Sequence, residues 1–295
     1  MKKSDSIRLI AQAKINLSLA ITGLTDNGYH TLDTVFYPLS APHDILDIQE
    51  VYEKQGIEIC CDQADLATQD NLIAKAWKKY GATTGFSPAL HVTLKKNIPS
   101  GAGLGGGSSD AAVMLNYLNK KNPNPIDDRQ LNTLAASLGA DIPFFLKGVP
   151  ARATGIGEVL TPVDIDFSGY SIVLVCPDVH VSTVWAYKAW DKMHLDANGK
   201  FHQENSENFL TRPNQSYNKP TRYAPLKIFN DFEEPVFKEH SELRILKERL
   251  LCSGACAAAM SGSGSSIFGL YRSQTQAQQA AQLLGQELTT FYHHF

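Results

Sequence analysis

Residues 99–112 read Pro-Ser-Gly-Ala-Gly-Leu-Gly-Gly-Gly-Ser-Ser-Asp-Ala-Ala, with glycine at 101, 103, 105, 106 and 107. So dense a glycine run constrains the local fold more than any other stretch. Glycine reaches left-handed backbone angles freely and lets the main chain approach a ligand closely. The residues that follow narrow it further: Ser108 or Ser109 is expected as an N-cap, Asp110 suits a first turn, and Ala111 to Leu115 continue as a helix. A glycine turn emptying into a helix N-terminus aims several N–H groups at one spot, where the helix dipole also favours negative charge. The segment reads as an anion cradle of the kind that binds phosphate.

Other patterns fit it less well. Gly101, Gly103 and Gly106 satisfy the dinucleotide fingerprint G-x-G-x-x-G. That pattern needs a strand running directly into the glycines and an acid closing the next strand about 20 residues on. Here Pro99 and Ser100 intervene, and Asp127 and Asp128 resemble the start of another helix. A Walker-type loop ends in Gly-Lys-Ser/Thr, and no lysine follows Gly107. A flexible linker is disfavoured because a strong helix succeeds the glycines.

Composition excludes several classes of function. At 295 residues, 43% hydrophobic and 19% charged, the chain is an ordinary globular protein of one large domain or two. A net charge of −3 carries no broad footprint for nucleic acid or an anionic membrane, so neither is expected as a partner. No apolar run approaches the ~20 residues that span a bilayer. No apolar signal core follows Met1-Lys2-Lys3, which points to a cytoplasmic protein. The five cysteines are scattered without metal-ligand spacing and are expected to be reduced, most of them buried as small apolar side chains.

Strand signals dominate the start: alternation over 7–21, β-branched and aromatic residues over 34–39, and alternation again over 45–51, with Asp26-Asn27-Gly28 as a turn between the first two. Asp70 is expected to cap a helix that stops near Gly81; residues 90–94 form a strand, and helices follow over 109–119 and 128–138. Beyond about Val163 come a buried strand at 171–176, a helix from about Ser182, helices near 235–251 and 274–288, and a strand at 266–271. Strands and helices in each half, without regular alternation, imply two α+β domains. Residues 196–223 are polar and rich in Asn, Gln, Ser and Pro, and read as a long surface excursion.

Four short constellations carry chemistry. In Ala13-Lys14-Ile15-Asn16-Leu17 the period of two puts Lys14 and Asn16 on one strand face, although an isolated lysine usually faces solvent. In Gly139-Ala140-Asp141-Ile142-Pro143-Phe144-Phe145 an acid precedes an apolar run that partly desolvates it; a capping or loop acid explains it equally well. Gly28-Tyr29-His30 offers rings that stack on and donate to a planar group, against the alternative of a tyrosine packed beside a hairpin. Ser261-Gly262-Ser263-Gly264-Ser265 is a second small-residue loop, either approaching phosphate or serving as a tight connection. Asn71 and Lys95 lie on segments able to reach a nucleotide.

Taken in order over 9–271, the lysine strand motif Lys14 to Leu17, the loop Pro99 to Ala112 and the loop Ser261 to Ser265 resemble the GHMP small-molecule kinases. The resemblance implies an N-terminal ribosomal-protein-S5-like α/β domain over 1–162 and a C-terminal ferredoxin-like α+β domain over 163–295. It implies ATP and Mg²⁺ as cofactors, with the triphosphate held by Pro99, Ser100, Gly101, Ala102, Gly103, Leu104, Gly105, Gly106, Gly107, Ser108 and Ser109. Asp141 matches the catalytic acid and Lys14 its partner; Asn16, Tyr29, His30, Thr183 and Tyr187 fall on the substrate side. No residue is assigned as a metal ligand.

Gly28-Tyr29-His30, the triple glycine and Gly139 to Pro143 narrow the resemblance to one branch of the family. That branch implies phosphorylation of the 2-hydroxyl of 4-diphosphocytidyl-2-C-methyl-D-erythritol in non-mevalonate isoprenoid precursor biosynthesis, by a monomer or homodimer. Tyr29 and Tyr187 would sandwich the cytosine. A homoserine, sugar or mevalonate kinase of the same family, or a non-catalytic ATP-binding regulator, remains the alternative.

Overall fold

Two long strands, β1 (Ile7–Leu24) and β2 (His30–Glu50), set the frame of the computed structural model, which describes residues 6–51, 55–63, 66–196 and 227–295. Strand β1 alternates exposed and sheltered residues at its start, then is buried on both faces from Ala13 to Ile21. It is flanked by β2 on one side and, at Ser18 and Leu19, by the two-residue strand β8 (Phe229–Asn230) on the other. Two separate strands were expected over 34–51; β2 is continuous instead. The remaining strands of this seven-stranded sheet are β3 (Ile57–Cys61), β4 (Leu90–Lys95), β5 (Ala151–Thr154) and β6 (Val159–Pro162), in the order β3-β4-β2-β1-β8 with β5 paired to β2 and β6.

Compactness divides the chain into two units. One comprises Met1–Lys14, Pro38–Ser100 and Gly105–Val149; the other comprises Ile15–Tyr37, Gly101–Leu104 and Pro150–Phe295. In the first, helices α1 (Leu72–Thr84), α2 (Gly106–Lys121), α3 (Asp128–Ala136) and α4 (Ile142–Lys147) pack on one another, α1 against α2 and α2 against α4. Helix α1 differs from expectation at both ends. Asn71 rather than Asp70 is its N-cap, and it runs through Gly81 to a left-handed Gly85. A Cβ at position 81 would meet the Ser87 Cβ at 2.9 Å, so glycine there admits the returning chain rather than ending the helix. Asp127 and Gln130 close a capping box on α3.

The second unit holds a four-stranded antiparallel sheet ordered β11-β7-β10-β9, formed by β7 (Ser171–Cys176), β9 (Ala257–Met260), β10 (Ile267–Tyr271) and β11 (Thr289–His294). Helices α5 (Thr183–His194), α6 (Glu233–Glu239) and α7 (Ser241–Cys252) lie between β7 and β9 in sequence, and α8 (Gln274–Leu284) between β10 and β11. This β-α-β-β-α-β succession is the ferredoxin-like pattern. Its core gathers Val173, Val175, Trp190, Phe232, Val236, Leu246, Ile267 and Tyr271 with Leu19 and Ile21 of β1. No described helix is long and apolar enough to cross a membrane.

Two expectations change here. Among the cysteines only Cys176 is buried, its thiol pushed up to about 11 by that burial; the other four reach the surface from strand faces and from the neighbourhood of α7. The polar stretch 196–223 lies outside the described residues except for Asp196.

Candidate active site

The glycine loop departs from its expected geometry in a way that sharpens its chemistry. Helix α2 begins at Gly106, not at Ser109, and its N-cap is Gly105, left-handed at φ 73° with no side-chain cap bond. A left-handed glycine turns the chain into the helix three residues before the serines do. The Ser109 amide already donates to the Gly105 carbonyl at 2.9 Å, and Ser109 is buried. The first-turn amides of Gly106, Gly107 and Ser108 have no carbonyl inside the helix to bond. Within the loop 99–109, these amides lie at the dipole's positive end. Ala102 and Leu104, 5% and 1% exposed, anchor the loop as apolar plugs.

Asp110 does not serve the first turn. It is buried with Lys96, whose Nζ donates to Asp110 Oδ2 at 2.9 Å and also to Asp44. Asp44 accepts in addition from the amides of Asn97 and Ile98, at 2.7 and 2.8 Å. Burial, opposed by Lys96 and reinforced by Asp44, pushes the Asp110 carboxyl up to about 7. Burial alone would lower Lys96, but the two carboxylates outweigh it and its ammonium is held above its ordinary value. This buried triad ties β2 and the segment after β4 to the start of α2.

Lys14 projects from β1 into the first unit's interior. It is 3% exposed, which excludes the solvent-facing alternative, and its Nζ lies 3.6 Å from Asp141 Oδ2. Asp141 occupies the N-cap position of α4, yet its carboxylate makes no capping bond and its side chain stays 35% exposed. A capping role thus does not account for it. The loop passes directly over this pair: a Cβ at Gly105 would sit 3.3 Å from Lys14 Cε and 2.8 Å from the Phe145 ring. A buried cation, a half-open carboxylate and a run of free amides are the elements of a site that takes a proton from a hydroxyl while holding phosphate.

The second unit carries the remaining candidates. Asn16, 2% exposed, donates from Nδ2 to Thr34 Oγ1 at 2.7 Å, and its backbone amide donates to Ser261 Oγ at 3.3 Å. Ser261 Oγ in turn donates to the Gly103 carbonyl at 2.9 Å. The approach is so close that a Cβ at Gly103 would fall 2.0 Å from the Ser261 carbonyl oxygen. Asn230, which sequence reasoning missed, donates from Nδ2 to the carbonyls of Met260 and Gly262, both at 2.7 Å, and so shapes the loop from below. Thr183 Oγ1 meets Ser263 Oγ at 2.8 Å.

Tyr29 closes the β1–β2 turn and is 59% exposed. His30 does not stand open beside it as expected. Its ring stacks on Tyr187 at 4.4 Å and 26°, meets Trp190 edge-on at 5.9 Å, and places Nε2 2.6 Å from Asp191 Oδ1. One face of Tyr187 is therefore covered by His30, and Phe232 packs perpendicular to the ring at 4.8 Å. Asn71 is likewise occupied: its Oδ1 caps α1 through the Ile73 amide and its Nδ2 donates to the Leu66 carbonyl.

Known proteins share this construction. The GHMP kinases N terminal domain matches residues 71–149 and the GHMP kinases C terminal domain matches residues 221–288. A 4-diphosphocytidyl-2-C-methyl-D-erythritol kinase from Solidesulfovibrio magneticus is 46% identical over 275 residues, 92% of this chain and 90% of its own. The kinase of the same name from Porphyromonas gingivalis is 42% identical over 277 residues, 91% of this chain and 93% of its own. A crystal structure of 4-(cytidine 5'-diphospho)-2C-methyl-D-erythritol kinase superposes with a TM-score of 0.76 at 32% identity, covering 97% of this chain and 98% of that one. Homoserine kinase from Cytophaga hutchinsonii, at 17% identity and TM-score 0.67 over 99% and 95% of the two chains, shares the fold.

Proposed function

The chain belongs to the GHMP kinase family, and we propose that it transfers the γ-phosphoryl group of ATP to the 2-hydroxyl of 4-diphosphocytidyl-2-C-methyl-D-erythritol, a step of isoprenoid precursor synthesis. The family's two domains are read as 1–162 and 163–295, and each family match falls inside one of them. The observation that carries the chemistry is the 3.6 Å pair of buried Lys14 and Asp141 beneath Gly105. The acceptor rests on similarity of more than 40% to kinases of that name over nine-tenths of the chain.

In this reading Asp141 accepts the hydroxyl proton as the oxygen attacks. Lys14, its Nζ 3.6 Å from Oδ2, holds the carboxylate aimed at the acceptor. Phosphoryl transfer is dominated by positioning and charge stabilisation. The amides of Gly106, Gly107 and Ser108 supply the latter without any side chain having to reorganise. A tertiary, hindered acceptor makes placement decisive. Magnesium, bound with ATP, would neutralise phosphate charge, and the Ser108 hydroxyl and the Asp141 carboxylate are hard oxygen donors suited to it. The exposed Tyr29 ring is read as the face on which cytosine stacks, with Tyr187, Thr183 and Asn16 completing the substrate side. The reaction is placed in the cytoplasm, in keeping with free cysteines and bacterial relatives.

The test is ATP turnover with 4-diphosphocytidyl-2-C-methyl-D-erythritol measured against homoserine, galactose and mevalonate. Turnover confined to the cytidine compound is the expected result. Preference for any of the others would reassign the acceptor within the family, and no ATP consumption with any of them would overturn the kinase reading.

A further inference from the structure

The way His30 is held points to a residue that acts on the substrate without touching it. Its ring is nearly enclosed, with a side chain 9% exposed, and its contacts fall on Tyr187, Trp190 and Asp191 of α5. These positions have the i, i+3, i+4 spacing that forms one helix face. The preceding residue is the opposite case. Tyr29 is 59% exposed as a residue, while its backbone is fixed at both ends: its amide donates to Thr25 Oγ1 at 3.0 Å, and its carbonyl accepts from the Thr25 amide at 2.8 Å and from Thr25 Oγ1 at 2.9 Å. A rigid backbone carrying an open aromatic ring is a preorganised stacking platform, and preorganisation is what reduces the ordering cost of binding.

We propose that Asp191 is a positioning residue for nucleobase recognition. It takes the Nε2–H of His30 at 2.6 Å and so pins the exit of the 25–30 turn onto α5, which holds Tyr29 in place. The bond also sets the tautomer: with Nε2 carrying the proton, a neutral His30 keeps Nδ1 as an acceptor. A second tie holds the same helix at its other end, where Thr183 in the first turn of α5 meets Ser263 Oγ at 2.8 Å. Helix α5 is thus fixed at its start and on the face that receives His30. This inference rests on the cytidine reading of the acceptor given above.

The test combines CMP titration of the whole protein by calorimetry with steady-state kinetics. Removing a hydrogen bond to a charged group predicts about a tenfold loss of CMP affinity in Asp191→Ala, and a similar rise in KM for the cytidine substrate, with KM for ATP unmoved. Asp191→Asn, which keeps an acceptor oxygen, should lose less. His30→Phe, which keeps the stack and loses the bond, should match Asp191→Ala, so a folding defect in one variant leaves the other informative. Because Asp191 acts through the turn, its effect and that of Tyr29→Ala should be non-additive in a double-mutant cycle. Wild-type CMP affinity in both Asp191→Ala and His30→Phe, or full additivity with Tyr29→Ala, overturns the inference. A wild-type protein that neither binds CMP nor turns over the cytidine substrate overturns the acceptor reading instead.

Discussion

Two pairs of a side-chain nitrogen with a carboxylate have opposite construction in this molecule. Lys14 and Asp141 stand 3.6 Å apart, the lysine buried and the acid a third exposed. His30 and Asp191 stand 2.6 Å apart, with the histidine further locked by a stacked and an edge-on ring. The looser pair suits groups that change partner during a reaction: its carboxylate can take a proton and release it without dismantling a core. The tighter pair suits groups that must not move. Distance and enclosure, more than residue type, separate a reacting pair from a holding one.

The largest break in that contrast is expected at Asp141. Asp141→Asn should reduce kcat by about 10²–10⁴-fold, the usual contribution of a positioned base, while CMP and ATP still bind. Turnover close to wild type would remove Asp141 from the base role. On the holding side, Tyr29→Ala should raise KM for the cytidine substrate by roughly 5–150-fold, the span of stacking losses per base. An unchanged KM would end the stacking reading.

Smaller effects refine the comparison. Gly103→Ala combines φ 76° with a Cβ 2.0 Å from the Ser261 carbonyl, and should lower stability by about 1–3 kcal/mol in urea unfolding. Gly107→Ala, whose Cβ would meet only Leu72 Cδ1 at 3.5 Å, serves as the control and should lose much less. Last, the Lys96–Asp110 pair offers a buried reference that takes part in neither task. A carboxyl raised from 3.8 to about 7 favours the folded state when protonated, so its contribution is full below about pH 4 and fades as the pH rises through 7. Stability measured from pH 4 to 8 should show this decline in the wild type relative to Asp110→Asn; parallel profiles would contradict it.

What could be read from the chain beforehand follows from how local each signal is. Strand β7, a continuous apolar run, is found at its expected bounds, and Lys14 and Asp141 announce themselves as lone charges inside apolar motifs. The start of α2 escaped because glycine is a poor helix former, so Gly106 and Gly107 read as loop until Gly105 supplies the turn. Helix α4 is too short to show a period. Asp191 is 161 residues from His30, and Asn230 is 30 from the carbonyl of Met260; neither has a signature of its own. Their roles exist only once distant strands and helices have come together.

The cradle at the start of α2 has a genetic consequence. The donors proposed for it are peptide N–H groups of residues 106–108, which no side-chain substitution other than proline removes. Codon 107 is therefore free to drift without erasing the proposed anion contact, whereas codons 103 and 105 are held by a neighbouring carbonyl and a neighbouring ring. Lineages of this enzyme should diverge at the rim of the loop while its hinges stay glycine, and reagents that react with amines or thiols have no handle among those three amides.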